Sequence, residues 1–111
     1  MSDPTIDMSV LNELKEAAGA EFVSELVGTF LEEAPTMLAE LRNAQAAGLG
    51  DVFRRAAHSL KSNSNTFGAT RLGEMARDLE LGGLITDTVP LDALDAEYQR
   101  VAAELKDLGN V

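Results

Sequence analysis

The chain has no cysteine in its 111 residues and no long hydrophobic run. The missing cysteine excludes disulfides and thiolate metal sites, and it removes any reason to expect an oxidising compartment. No apolar stretch approaches the roughly 18 residues that a membrane span requires, and the N-terminus lacks the basic and apolar segments of a secretory signal. We therefore expect a cytoplasmic protein that neither crosses nor enters a membrane.

Positive charge is also scarce in this chain. Nine Lys and Arg residues stand against 19 Asp and Glu residues, which gives a formal net charge of -10. A surface of this sign repels phosphate backbones and anionic lipid headgroups. Nucleic acids and membrane surfaces are therefore not expected as partners.

No segment alternates polar and apolar residues with the period of two that a half-buried strand shows. Apolar residues recur at helical spacing instead, which predicts helices over 8–18, 20–47 and 70–81, one from an N-cap at Asp51 to about 66, and one from Pro90 to the C-terminus. The length allows one core, so residues 1–111 are predicted to form a single domain. Short connections favour antiparallel neighbours, so the predicted fold is all-α: an antiparallel up-down four-helix bundle with a short additional N-terminal helix across one end.

Three local features refine this prediction. Asp7 is a plausible N-cap for the first helix. Pro35 falls inside the second helix, where it should bend the helix rather than divide it. Phe22 is expected on the apolar face of that same helix.

The segment from Val52 to Gly73 contains no acidic residue, although the chain as a whole is acidic. It contains His58, the only histidine. Four of the nine basic residues also lie there: Arg54, Arg55, Lys61 and Arg71. This composition implies a local electropositive site.

At about 100° per residue, the third helix divides into a core-facing side and a solvent-facing side. The predicted core-facing residues are Phe53, Ala57, Leu60, Ser64 and Phe67. His58 falls on the opposite side near the middle of the helix, on one stripe with Arg54, Lys61, Ser62 and Asn65. The imidazole should therefore face solvent.

A single surface histidine on a helix is most often only a solvated side chain, and basic neighbours alone do not change that interpretation. Neighbouring cations do, however, disfavour protonation of an imidazole, which keeps a nitrogen lone pair available as a nucleophile. The same cations could hold a phosphate afterwards. Small residues such as Ala56, Ala57 and Ser59 would let another protein approach the ring closely.

The residues from His58 to Ala69, HSLKSNSNTFGA, resemble the signature of histidine-containing phosphotransfer (HPt) domains: His, two residues, Lys, small residues, then Gly-Ala. The resemblance covers most of the bundle and is most specific between Asp51 and Glu80. It implies a four-helix bundle that exchanges phosphate between a histidine and an aspartate on a response-regulator receiver domain. The chain would then be a stoichiometric phosphorelay carrier rather than an enzyme.

Matched position by position, the resemblance makes His58 the phosphorylated residue and Lys61 the cation that steadies the phosphoryl oxygens. Glu80 is similar to the Gln or Glu by which the family's next helix holds the imidazole, and a carboxylate there would accept from one ring N–H and leave the other nitrogen to attack phosphorus. Glu80 could equally be an ordinary solvated glutamate. Ser62 departs from the pattern, because the family often has Gly at that place.

Other residues of the segment receive supporting roles. Arg54, rather than Arg55, is predicted to give electrostatic support, although surface arginines are more often simple solubilising groups. Ser59, Ser62 and Asn65 are predicted to contact the docked partner. Gly68 is predicted to be structural, because a residue that follows a helix often needs a positive φ.

The expected partners are a response-regulator receiver domain and a sensor or hybrid histidine kinase. No glycine-rich phosphate loop of the Walker type is present, so the chain should not bind ATP. No Asp ligands cluster in sequence beside His58, so we expect no metal site or cofactor of its own and Mg²⁺ supplied by the receiver. A monomer is expected, and the start at Met1 favours a free-standing module.

Three other classes of protein share some of these features. A non-catalytic acidic helical adaptor for protein docking, with His58 incidental, stays open, and it would keep its function after His58→Gln. An acyl carrier needs an Asp-Ser-Leu at a helix start, which this chain lacks. A carboxylate-bridged metal enzyme needs paired Glu-x-x-His motifs, and the single histidine has no Glu three residues before it.

Overall fold

The computed structural model describes residues 5–109, and in that part of the chain every regular element is an α-helix. The helices are α1 (Met8–Ala18), α2 (Ala20–Ala47), α3 (Gly50–Thr66), α4 (Thr70–Gly82) and α5 (Val89–Gly109). The all-α prediction is confirmed, and the predicted helix ends lie within about two residues of the observed ones, as is usual for such boundaries. No helix of the described part is long and apolar enough to cross a membrane.

Asp7, which precedes α1, forms hydrogen bonds through both its side chain and its backbone. Asp7 caps α1, because its Oδ1 accepts from the backbone N–H of Ser9 at 3.0 Å and from the Ser9 hydroxyl at 2.7 Å. These hydrogen bonds hold the pKa of Asp7 below its ordinary value of 3.8. The backbone N–H of Asp7 donates to the Gly68 carbonyl at 2.7 Å, which ties the start of α1 to the turn between α3 and α4.

The N-cap predicted for α3 is wrong. Leu49 occupies the cap position without a side-chain cap hydrogen bond, α3 begins at Gly50, and Asp51 lies inside the first turn. The Asp51 side chain is largely exposed, and its carboxylate lies 3.7 Å from the Arg54 guanidinium. A carboxylate in the first turn still meets the positive end of the helix dipole, so Asp51 is compatible with this position without acting as a cap.

The prediction that Phe22 faces the core is also wrong, since 51% of this residue is exposed. Its neighbour Val23 takes the core position instead, at 2% exposure. The buried residues of α2 follow the 3.6-residue period: Val23, Phe30, Ala34, Leu38, Leu41 and Ala44. Phe22 lies about 100° away from that stripe. α2 continues as one helix through Pro35, and the bend expected there stays a prediction.

The core side of α3 agrees with the helical pattern. All five predicted residues are buried: Phe53, Ala57, Leu60, Ser64 and Phe67. The Phe67 ring lies 5.4 Å from the Phe30 ring of α2, and Phe30 in turn lies 6.0 Å from the Tyr98 ring of α5. Aromatic pairs at these separations contribute stabilisation beyond that from the area they bury. This cluster therefore joins α2, the α3–α4 turn and α5.

Polar contacts link α5 to its neighbours. Arg42 of α2 donates to Asp92 at 2.8 Å and to Asp95 at 2.9 Å. Glu97 is buried in α5 with 2% of its side chain exposed, and its Oε1 accepts from Arg100 at 2.7 Å. Arg71 of α4 approaches the same oxygen at 3.6 Å. Buried carboxylates need such partners, so these contacts make the interior position of Glu97 tolerable.

Candidate functional site

His58 lies near the middle of α3 on the side opposite the core. Its side chain is 58% exposed, whereas Ala57 and Leu60 on the neighbouring core positions are fully buried. This is the orientation that the helical pattern predicts. The buried neighbours fix α3 against the core, while more than half of the His58 side chain is accessible to another protein.

The second half of α3 is rich in residues that favour turns, and their side chains hydrogen-bond to the helix backbone. Asn63 donates to the Ser59 carbonyl at 2.8 Å, Ser64 to the Leu60 carbonyl at 2.6 Å, and Thr66 to the Ser62 carbonyl at 2.9 Å. Such bonds to the carbonyl four residues back satisfy the polar side chains inside the helix. They explain how a buried Ser64 is accommodated without an unpaired hydroxyl.

α4 brings Glu80 against the imidazole. One carboxylate oxygen, Oε2, lies 2.6 Å from His58 Nδ1, and the other, Oε1, accepts from Lys61 Nζ at 2.7 Å. Glu80 and Lys61 are both partly shielded from solvent, with 22% and 25% of their side chains exposed. One carboxylate thus bridges the ring and the cation one turn further along α3. We call these three residues the His58–Glu80–Lys61 group.

The charge of Glu80 decides which ring nitrogen is free. The Lys61 ammonium, and after it the hydrogen bond with His58, hold the pKa of Glu80 below its ordinary value of 4.5, so the group is a carboxylate near neutral pH. A carboxylate can only accept, so Nδ1 of His58 must carry the proton in this contact. In the neutral ring the lone pair is then on Nε2.

The three predicted docking residues are all exposed. Ser59 and Ser62 flank the ring along α3, and Asn65 lies one turn further. The Asn65 side chain covers Gly73 of α4, where an added Cβ would collide with its amide. Gly73 therefore leaves room for the Asn65 amide between α3 and α4.

Arg54 lies one turn before His58 but does not join the His58–Glu80–Lys61 group. Within residues 5–109 its one ion pair is the 3.7 Å contact with Asp51, and its guanidinium also lies against the C-cap of α4 at Gly83. Arg55 faces α2 instead, where it lines a groove. Electrostatic support from Arg54 stays a prediction.

Gly68 occupies a position that only glycine fits. Its φ is +79°, and a Cβ built there would lie 2.5 Å from the Asp7 carbonyl oxygen. Both the left-handed backbone and the close approach of the segment before α1 make a larger residue costly here. The structural role that the sequence predicts for Gly68 has a physical basis here.

The polar groups beside His58 are already paired with one another. No three His, Asp or Glu side chains cluster as metal ligands in the described part of the chain. The carboxylate nearest the ring, Glu80, already accepts from a ring N–H and from an ammonium on its two oxygens. A Mg²⁺ ion at this site would displace those donors, so the residues present do not fit it.

Two features of the site were not anticipated from the sequence. The first is the Lys61–Glu80 contact, which depends on how α3 and α4 are placed against each other. The second is a groove between α2 and α3 that reaches Ser59, the neighbour of His58, and carries three carboxylates of α2: Glu32, Glu33 and Glu40. In sequence these glutamates are indistinguishable from a solvated helix face.

An exposed histidine paired with a carboxylate, with a lysine one turn away on a helical module, is the arrangement expected of a histidine phosphocarrier. Comparison with known proteins supports this class. The model of the Hpt domain family matches residues 25–104, well over half of the chain. The chain therefore belongs to the Hpt domain family.

Two similar proteins carry the comparison further. The crystal structure of histidine-containing phosphotransfer protein B from Pseudomonas aeruginosa PAO1 matches with a TM-score of 0.87 at 26% identity, and the match covers 98% of this chain and 97% of that chain. Sensor protein TorS from Escherichia coli (strain K12) is 32% identical over 79 residues, which are 71% of this chain. The matched region is only 9% of the length of TorS.

Family membership defines the general role of the chain. Hpt domains are phosphocarrier modules of two-component phosphorelays rather than classical enzymes, and they work with kinases and receiver domains. This confirms the resemblance inferred from the His58 signature and the general function that it implies.

Proposed function

We propose that His58 accepts a phosphoryl group on Nε2 from the aspartyl phosphate of a receiver domain and passes it to the aspartate of another receiver domain, in a relay fed by a sensor or hybrid histidine kinase. The observation that carries this proposal is the contact between Glu80 and Nδ1, which leaves Nε2 as the nitrogen available to a partner. The exposure of the His58 side chain gives the partner access.

The transfer is a single displacement at phosphorus. The Nε2 lone pair of the neutral ring forms the N–P bond while the bond between phosphorus and the aspartyl oxygen breaks, and the aspartate leaves as a carboxylate. The ring keeps its Nδ1 proton and becomes cationic, and the Glu80 carboxylate at 2.6 Å stabilises that charge. The reverse transfer uses the same groups in the opposite order.

Lys61 has two roles in this scheme. Before transfer its ammonium is held by Glu80 at 2.7 Å, one helical turn from the ring. During transfer it neutralises part of the charge on the phosphoryl oxygens, to which an ammonium acts as a strong hydrogen-bond donor. Because Glu80 has a second donor in the His58 N–H, it stays paired on one oxygen while Lys61 turns toward the phosphate.

Several further properties belong to this proposal. The carrier has no ATP site of its own, Mg²⁺ is held by the receiver, and Ser59, Ser62 and Asn65 contact that partner. The carrier acts as a cytoplasmic monomer that binds neither nucleic acid nor membranes. The chain folds as one domain in which α2 to α5 form an antiparallel up-down bundle with α1 across one end, which the packing of α3 between α2 and α4 supports.

The decisive experiment offers the chain a receiver domain that carries a labelled aspartyl phosphate. We expect acid-labile, alkali-stable label on the wild type, as for a phosphohistidine, and none on His58→Gln. His58 is the only histidine and is mostly exposed, so this variant should unfold at the same temperature as the wild type. Matching unfolding curves are the control for intact structure.

A non-catalytic acidic adaptor is the remaining alternative. If no receiver domain from a broad panel labels the wild type, the relay proposal is wrong and the adaptor is favoured. If His58→Gln were labelled as strongly as the wild type, another residue would be the phosphoryl acceptor and the proposal for His58 would be wrong.

A further inference from the structure

We propose that the groove between α2 and α3 is a specificity determinant, whose acidic α2 wall selects receiver domains that present Lys or Arg beside their phosphorylated aspartate. This inference rests on the proposed phosphotransfer function and names the chemistry of the partner's contact surface. It assigns a role to α2 residues that the phosphotransfer chemistry itself does not use.

The groove lies beside the middle of α3, on the side that faces α2. It has a volume of about 600 Å³, and it is lined by Glu32, Glu33, Thr36, Met37 and Glu40 of α2 and by Arg55, Ala56 and Ser59 of α3. The α2 residues recur at i, i+4 and i+8, so they form one continuous helix face. A partner side chain that enters the groove therefore meets carboxylates along one wall, with the small Ala56 opposite.

The groove is next to the reactive ring. At 100° per residue, Ser59 and Arg55 lie about 60–100° around α3 from His58 in one direction, and Lys61 lies about 60° away in the other. The ring thus stands between the Glu80–Lys61 contact on the α4 side and the groove on the α2 side. A partner that reaches Nε2 also covers the groove.

The size of a protein interface leads to the same conclusion. A specific interface buries about 800 Å² on each partner, which corresponds to a disc of about 16 Å radius. A disc of that radius centred on His58 cannot avoid a groove whose lining begins at the next residue, Ser59. The charges of the groove are therefore part of the contact surface.

The carboxylates of the groove are available to a partner. Glu32, Glu33 and Glu40 are exposed, and none of them takes part in the ion pairs formed within residues 5–109. Arg55 forms no ion pair there either, so the groove carries a surplus of negative charge. Negative charge on α2 next to positive charge on α3 favours one orientation of a docked partner. Complementary charges also fix the register of an interface and disfavour wrong partners.

The test compares two triple variants that each remove three negative charges. The groove variant is Glu32→Gln, Glu33→Gln and Glu40→Gln. The matched control is Glu13→Gln, Glu16→Gln and Glu21→Gln, which are also exposed but do not line the groove. The probe is a phosphorylated receiver domain that labels the wild type, used at increasing concentration with single-turnover kinetics.

We expect the groove variant to need about tenfold more receiver for half-maximal transfer, since three exposed charge pairs together are worth about that factor. The maximal rate should be unchanged, the control variant should match the wild type, and high salt should remove the difference. Phosphoramidate, a small donor that needs no docking surface, should label His58 equally in all three proteins.

Each contrary result has a distinct meaning. Equal half-saturating concentrations for the groove and control variants would overturn the docking proposal and leave the relay function intact. So would slower labelling of the groove variant by phosphoramidate, because the glutamates would then act on His58 chemistry. If no receiver labels the wild type, the relay function fails and this inference fails with it.

Discussion

Replacing Gly68 by alanine tests whether the turn between α3 and α4 depends on conformation alone or also on the close approach of the segment before α1. The chain offers a matched control in Gly48, which has a similar φ of +71° and nothing within 4 Å of an added Cβ. At Gly68, with φ of +79°, the added Cβ would lie 2.5 Å from the Asp7 carbonyl oxygen. Both substitutions place an alanine in the left-handed conformation, and only Gly68→Ala also creates a collision.

The shared conformational cost is roughly 1 kcal/mol. The collision at Gly68 forces the Asp7 backbone outward, which removes its 2.7 Å hydrogen bond to the Gly68 carbonyl and exposes part of the buried Ile6. A lost hydrogen bond of about 1 kcal/mol and partial exposure of an isoleucine at about 1 kcal/mol bring the total for Gly68→Ala to about 3 kcal/mol. At about 4 °C per kcal/mol for a chain of this size, the melting temperature should fall by about 12 °C for Gly68→Ala and by about 4 °C for Gly48→Ala.

Thermal unfolding followed by circular dichroism measures both values. Folded Gly68→Ala should still accept label on His58 at low temperature, because the turn does not touch the His58–Glu80–Lys61 group. Equal destabilisation of the two variants would refute the reasoning, since it would mean that the close approach of Asp7 contributes nothing.

Three further predictions concern the site and the core. The pKa of the Glu80 carboxyl should lie below its ordinary value of 4.5 in a carbon-detected NMR titration, and Lys61→Gln should move the titration midpoint upward. Because the pKa is depressed in the folded state, the Lys61–Glu80 contact stabilises the fold above the unfolded-state pKa, and this stabilisation is lost as pH falls through the folded-state pKa. An unmoved midpoint in Lys61→Gln would contradict the assigned cause. Glu80→Gln should slow labelling of His58 by the receiver, because an amide has one acceptor oxygen for two donors, whereas equal rates would exclude a role for the second oxygen. Phe22→Ser should change the free energy of unfolding by less than about 0.5 kcal/mol while Phe53→Ala costs about 3–5 kcal/mol in urea denaturation, and a large effect at Phe22 would contradict its exposure.

The sequence by itself determined the helices and the solvent-facing position of His58. Helical periodicity is a local property, so the core side of α3 and the solvent position of His58 followed from residue spacing alone. The signature from His58 to Ala69 was enough to indicate the family, which the comparison with known proteins bears out. The two local errors, Asp51 as a cap and Phe22 as a core residue, arose at helix ends, where sequence patterns fix the start and the facing residue only to within one or two positions.

Only the tertiary structure decided how residues from different helices meet. Glu80 could be read from the sequence as a partner of the imidazole or as a solvated glutamate, and its bridge to both His58 and Lys61 depends on the packing of α4 against α3. The acidic groove likewise exists only because α2 lies beside α3, since its glutamates resemble any exposed helix face. Periodicity specifies which side of a helix is buried, but the distance between side chains on two helices is set by the packing of the whole core.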